Sequence, residues 1–523
     1  MSASTQPNSI DTLTPAEQAT FQKTLEMLRT GERSQAETNL RELADRYPQL
    51  SLFLYLLANL EAERGRLDEA MGWLERARMQ EPREAKILQL LAQCREASNQ
   101  HERALECHLE LHALAPNDPL HLSNIGFCYS KTRQFKQARD YLERALEREP
   151  NNSRALNELA LVMMNLDDPD TAISLLQRAL QQHPERPGYH GNIAQAFLWK
   201  EDHANALQHF REATRHHYAS LKPPVHGTPL RVSRIVHDFE QLDYLCELGS
   251  TDPVHEDYLR TLEPLAKRAR EARNDGQTHF ECSDNELDSL RPFYNRLTHL
   301  GDGSRVTGKA LNPDLDVEAI EATYHGASPE MLVLDNVLCD EALDKLYRYC
   351  LESRIFVHEN EAGYLGALLS QGFGSPLLLQ ISEEIRKTFP NIFGENRLTQ
   401  SWAFKYDSNM TGIKTHADFA SVNMNFWISP DRGNLDPDHG GLVVWNKESP
   451  KDWPISDYNG NETKVAEFLR EEQAEEVVIP FRQNRAAIFN SNLFHRTDDI
   501  SFADVYTDRR INVTFLFGAG LRL

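Results

Sequence analysis

Three side chains near the C-terminal end of the chain have the types and the spacing to hold a metal ion. His416 and Asp418 stand one residue apart, and His495 follows far downstream. Two histidines and one carboxylate are the ligand set that binds a non-haem Fe(II) on one face and leaves its other positions open. On an extended segment, residues i and i+2 point to one side, so His416 and Asp418 can reach one ion. Beyond His495 comes Arg510-Ile511-Asn512-Val513-Thr514-Phe515-Leu516-Phe517. Alternation puts Arg510, Asn512 and Thr514 on one face of that strand and Ile511, Val513 and Phe515 on the other. A guanidinium so placed is a fixed, always-charged fork for a carboxylate. The set points to an oxygenase with a carboxylate-bearing co-substrate.

The tripeptide alone proves little. With 20 histidines in 523 residues, about one His-x-Asp is expected by chance. A decoy is present in His255-Glu256-Asp257, in a polar stretch that reads as a solvated helix start. What separates His416 from it is context. The elements that must carry the ligands are strands, and strand-like pieces surround this set. They are Phe404-Lys405-Tyr406, Asn423-Met424-Asn425-Phe426-Trp427-Ile428, Gly440-Gly441-Leu442-Val443-Val444-Trp445, Ala487-Ile488-Phe489-Asn490-Ser491 and the arginine strand. Over 398–517 these pieces resemble, in order and pattern, the catalytic core of the 2-oxoglutarate- and Fe(II)-dependent dioxygenases, on the prolyl-hydroxylase-like branch. The lead-in 329–335 and the helical Cys339–Glu352 resemble the opening strand and helix of that domain.

The resemblance implies a double-stranded β-helix (jelly-roll) with flanking helices over 328–523. It implies that His416, Asp418 and His495 ligate Fe(II), with 2-oxoglutarate and O2 as co-substrates. Arg510 would pair with the distal carboxylate of the oxo acid, assisted by Thr514 and Tyr406, with Asn425 in the co-substrate pocket. In related halogenases a small residue replaces the carboxylate ligand, so Asp418 favours hydroxylation. Arg509 competes with Arg510, and the family spacing to Thr514 favours Arg510. Arg509 then reads as a surface or edge charge, and Lys405 as an outward strand residue. Asn423 and Asn425 share a face and either line the pocket or satisfy backbone groups. The insertion 446–476 is a rim element or a solvated excursion, and His439 is a turn residue.

The first half has a period of 34 residues. Pro48, Pro82, Pro116, Pro150 and Pro184 keep it, as do Ala36, Ala70, Ala104, Ala138, Ala172 and Ala206. Ala58, Ala92, Gly126, Ala160 and Ala194 form another register, and Leu40, Leu74, His108, Leu142, Leu176 and Phe210 a further one. Small residues at helix crossings and a proline after the second helix are the tetratricopeptide signature. About six units over 14–217 would stack into an α-solenoid whose groove takes a peptide or protein partner. His108 reads as a core histidine. The sixth unit has Tyr218 at the proline position, as a terminal repeat would. Residues 218–327 open with the breaker Lys222-Pro223-Pro224 and continue as a helical connector, with Cys282–Leu300 a further helix. Residues 1–13 are expected to be disordered.

Composition bounds the rest. The formal charge is −23, which argues against nucleic acid or an anionic membrane as partner. Seven scattered cysteines form no Cys-x-x-Cys, as in a reducing compartment without structural zinc. No signal peptide or membrane-length apolar run is seen, so the expectation is cytoplasmic. The fold expected is thus multidomain α + β. The function expected is hydroxylation of a C–H bond on a peptide or protein, prolyl positions included. The alternatives are a small-molecule oxygenase that uses its repeats for docking, and a non-catalytic scaffold or sensor.

Overall fold

A computed structural model describes residues 10–251, 253–360, 362–406, 412–451 and 453–518. The stretch expected to be disordered lies outside the described residues as far as residue 9, and Ile10–Thr12 forms one 3-10 turn. The chain divides into two compact units, one ending at Asp168 and one beginning at Pro169.

Among its described residues the first unit is built of helices and their connecting turns. The helices Arg33–Arg46, Leu67–Gln80, His101–Leu114 and Phe135–Arg148 each stop two residues before a proline of the 34-residue series. The residue before a proline is pushed out of α geometry, so the helix has to close there. Ala36, Ala58, Ala70, Ala92, Ala104 and Ala138 are fully buried where helices cross. A Cβ at Gly126 would stand 2.5 Å from Leu142 Cγ, so that crossing admits no side chain. The same period governs a backbone feature. Gly31, Gly65, Asn99, Arg133, Asp167 and Glu201 all take positive φ, between 57° and 88°. Each ends the first helix of a pair, and only two are glycine, so this register is hidden in the sequence.

The second unit begins with three more helices, Pro169–Gln182, Pro187–Trp199 and His203–Ser220. Strand β1 (Leu230–Arg231) pairs antiparallel with β2 (His279–Phe280) around the helices Val232–Glu247 and Pro253–Asn274. The helix expected over 282–300 is shorter, Asp284–Leu290. A Ser283–Glu286 capping box opens it, and Pro292 follows directly after its C-cap. His255, expected in solvent, is buried at the start of the second of these helices.

Among the described residues ten strands complete the unit: β3 (Met331–Leu334), β4 (His358–Glu359), β5 (Leu365–Leu368), β6 (Leu398–Lys405), β7 (Val422–Trp427), β8 (Leu442–Glu448), β9 (Glu476–Ile479), β10 (Ala486–Asn490), β11 (Leu493–Thr497) and β12 (Ile511–Phe517). They form a seven-stranded antiparallel sheet, β3-β10-β7-β12-β6-β5-β4, and a three-stranded one, β11-β8-β9. The alternation of each strand splits its residues between two faces. Met424, Phe426, Ala403, Ile488, Val513 and Phe515 pack with the helices Asp340–Glu352 and Pro376–Thr388 in one core. Trp427, Ala487 and Phe489 pack with Val444, Ile479 and Leu493 of the small sheet.

Alternation also places Lys405 and Arg509 opposite Tyr406 and Arg510, as expected, but that opposite face is not outward. The helix Val232–Glu247 covers it. Lys405 is buried with its Nζ 3.4 Å from the centre of the Tyr506 ring. Arg509 is buried against Glu240 at 2.9 Å and Asp504 at 2.7 Å. The helices before β1 join the same unit. Gln195 Nε2 and Trp199 Nε1 both donate to the Leu398 carbonyl, at 2.5 and 3.2 Å.

Candidate metal centre

His416 lies on no regular strand. It forms a single antiparallel bridge with His495 of β11, N–H to O at 3.0 and 2.8 Å in the two directions. Asp418 follows on an extended segment whose N–H donates to the Ser491 carbonyl at 3.0 Å. The bridge sets the two imidazoles 4.3 Å apart, centre to centre. His416 Nε2 is 3.7 Å from Asp418 Oδ1, and His495 Nε2 is 3.5 Å from Asp418 Oδ2. Nδ1 of His416 is 2.8 Å from the Lys414 carbonyl, and Nδ1 of His495 is 3.0 Å from the Leu493 carbonyl. A carbonyl only accepts, so each Nδ1 carries the hydrogen and each Nε2 presents its lone pair. One ligand atom from each of the three residues falls within 4.8 Å of the others.

Electrostatics keep the donors ready for a cation. Burial, and secondarily the nearness of His495, lowers the His416 pKa to about 4, so its ring is neutral at pH 7. Burial alone would raise the Asp418 carboxyl. The adjacent rings of His495 and His416 and the Asn423 amide outweigh it and hold the group below the ordinary carboxylate range. Asn423 Nδ2 donates to Asp418 Oδ2 at 2.6 Å.

From Asn423 a chain of buried polar groups runs to Arg510. Asn425 Nδ2 donates to Asn423 Oδ1 at 2.7 Å, and the Thr514 hydroxyl to Asn425 Oδ1 at 2.6 Å. Arg510 Nη1 donates to Asn512 Oδ1 at 3.1 Å, while Nε and Nη2 reach the carbonyls of Gly440 and Gly441 at 2.7 and 2.9 Å. Tyr406 lies beneath the guanidinium, 4.6 Å from ring centre to Cζ, with its hydroxyl 3.4 Å from Thr497 Oγ1. Arg510 is 1 % exposed and, among the described residues, forms no ion pair with a carboxylate. A guanidinium taken out of water with only neutral partners is short of an anion.

All seven candidate residues thus gather on one side of the large sheet. Two supports were not legible in the sequence. The insertion folds as Ile455–Tyr458, Glu462–Glu471 and β9, and its Tyr458, Val465, Leu469, Trp453 and Phe468 pack on Ala417 and Phe494. Those two residues neighbour three ligands in the chain, and the Ala417 N–H donates to the Tyr458 carbonyl at 3.1 Å. The insertion therefore braces the ligands. Gly440 and Gly441 are the second support. A Cβ on Gly441 would fall 1.9 Å from the Ile479 carbonyl oxygen, so only glycine lets that backbone turn its carbonyl to Arg510. His439, read as a turn residue, pairs with Asp498 at 3.0 Å.

A family model described as tetratricopeptide repeat matches residues 27–94 and 129–196. No curated protein matches the chain. Solved structures similar to it include MamA, at 17% identity and a TM-score of 0.30, covering 32% of this chain and 91% of that one. MamA from Desulfovibrio magneticus RS-1 is 22% identical, with a TM-score of 0.31 and coverage of 32% and 96%. YrrB, described as a TPR protein with an unusual peptide-binding site, is 18% identical, with a TM-score of 0.30 and coverage of 34% and 91%. Among the described residues no helix is long and apolar enough to cross a membrane. The chain carries tetratricopeptide repeats, which suggest a protein or peptide partner.

Proposed function

We propose that residues 328–523 are a 2-oxoglutarate- and Fe(II)-dependent dioxygenase of double-stranded β-helix type. Its reaction would be hydroxylation of a C–H bond on a peptide or protein, prolyl positions included, that the repeats help to present. The observation that carries the reading is a three-donor face beside a buried arginine that lacks an anion. Two imidazole nitrogens and one carboxylate fit Fe(II) and leave part of its coordination open. Bound there, iron would supply the place where the oxo acid and O2 meet and the oxidising power for hydroxylation, with succinate and CO2 released.

The protein's own groups would do the rest. The Lys414 and Leu493 carbonyls fix the tautomers of the two histidines, and Asn423 fixes the Asp418 carboxylate. Arg510 would take the distal carboxylate of 2-oxoglutarate with Thr514 beside it, an interaction that strengthens away from water. Tyr406 would orient the guanidinium from below. The test is iron-dependent succinate formation from 2-oxoglutarate by the full chain, with mass analysis of proteins that co-purify. The reading expects succinate and a +16 Da shift on a partner, both lost in His495→Ala. Equal succinate from His495→Ala would contradict it.

A further inference from the structure

Residues 34 apart occupy equivalent places in the helix pairs, so a polar side chain at a core register stands out. His108 holds the register of Leu40, Leu74, Leu142, Leu176 and Phe210. Cys128 holds that of Leu60, Cys94, Val162 and Ala196, and Glu96 that of Ala62, Ser130, Met164 and Leu198. The packing at these places is met elsewhere by apolar or small residues and requires neither an acid nor an imidazole. Glu96 and His108 depart from their registers, whereas Cys128 shares its register with Cys94; the three lie on successive helices, Ala85–Ala97, His101–Leu114 and Pro119–Lys131, and they meet. His108 Nε2 is 2.6 Å from Glu96 Oε1, and Cys128 Sγ is 4.0 Å from the same oxygen. One ligand atom from each lies within 4.8 Å of the other two. His108 and Cys128 are 1 % and 0 % exposed, while the Glu96 side chain keeps 18 % of its surface open.

We propose that Glu96, His108 and Cys128 bind a borderline-soft divalent cation, zinc first, with water as the fourth ligand. The donor set is nitrogen, sulfur and carboxylate oxygen, which suits tetrahedral zinc and not the all-oxygen preference of magnesium or calcium. The charges close. Cys128 gives its thiol proton to solvent as the metal–sulfur bond forms, so thiolate and carboxylate offset the two positive charges and the imidazole stays neutral. No net charge is left in the helical core. The partly open Glu96 carboxylate is the way in from solvent. A cation there would pin three consecutive helices, and so two adjacent repeats, whose stability otherwise comes from packing between neighbours.

The test is Co2+ titration of the full-length protein after chelator treatment, followed through the near-ultraviolet thiolate-to-cobalt band. The His416 site contains no sulfur, so this band reports on the helical site whatever the iron site does. The expected result is a saturable band that Zn2+ displaces and Cys128→Ser abolishes. His108→Leu, which installs the residue other repeats carry and should fold, would weaken Co2+ by about tenfold or more. Absence of the band from the wild-type protein, its persistence in Cys128→Ser, or unchanged affinity in His108→Leu would each overturn the proposal.

Discussion

Two of the histidine clusters hold their imidazoles by different means. At His416 and His495 the backbone does the holding. A carbonyl two residues upstream takes each Nδ1 hydrogen, and both Nε2 lone pairs turn towards Asp418. At His108 the ring has no such clasp. Its Nε2 is hydrogen-bonded directly to the Glu96 carboxylate, and its Nδ1 is buried with no hydrogen-bond partner among the described residues. The first arrangement fixes tautomer and direction before any ligand arrives, which is how a site lowers the reorganisation needed for chemistry. The second joins donor to donor and must open to admit a cation. On the proposed readings the sheet site would react, and the helical site would bind and stiffen.

The largest expected effect breaks the sheet site at its clasped histidine. His495→Ala should reduce iron-dependent succinate formation to background, measured against the wild-type full chain. Next is Arg510→Leu, which removes the buried cation without touching the donors. Truncating one partner of a buried charge pair costs about 2–5 kcal/mol. Half-saturation by 2-oxoglutarate should therefore rise by roughly 30-fold to a few thousand-fold, while Fe(II) affinity, read by equilibrium dialysis, stays put. Asn423→Ala deletes only the donor that steadies Asp418, and should weaken Fe(II) by about 10- to 100-fold, the usual range for such outer partners.

A smaller effect concerns stability. His237 is buried on the helix Val232–Glu247 among Asp238, Arg234, Lys405 and the Phe356 and Tyr506 rings. Burial lowers its pKa to about 4. The unfolded chain thus binds a proton there that the folded one refuses, so stability falls as pH drops from the ordinary histidine value towards 4. The loss through this residue should be about 1–3 kcal/mol. Thermal melts at pH 7 and pH 5 check it, and His237→Gln should flatten the dependence. The smallest effect is a control on the clasp. Lys414→Ala removes a solvent-exposed pair with Glu462 but keeps the carbonyl that holds His416. It should shift stability by no more than about 0.5 kcal/mol and leave Fe(II) affinity unchanged. A large drop in affinity would mean that the side chain, and not the backbone, orients the ring.

How much of this was legible depended on the range of the interaction. The helix pairs follow from neighbours in the chain: the prolines stop helices and the alanines mark crossings, so a 34-residue period reads directly. Alternation along β12 likewise put Arg510, Asn512 and Thr514 on one face. What alternation leaves open is what covers each face, and so Lys405 and Arg509 looked outward although a distant helix seals them in. The insertion looked polar because its few apolar residues, Trp453, Val465, Phe468 and Leu469, find Ala417 and Phe494 only once the strands have assembled. The His416 bridge to His495 is likewise a long-range pairing, which the His-x-Asp spacing could suggest but not draw. The convergence of Glu96, His108 and Cys128 hid in plain periodicity, since each residue alone passes as a tolerated core substitution.

The central claim is that the sheet site holds Fe(II) and 2-oxoglutarate together. The most direct measurement is an anaerobic titration of the full chain with both, watching for the weak visible charge-transfer band of the chelate, alongside His416→Ala and Arg510→Ala. The account predicts a band in the wild-type protein, none in His416→Ala, and one that needs far more 2-oxoglutarate in Arg510→Ala. No band in the wild-type protein, with no iron retained by elemental analysis, would contradict it.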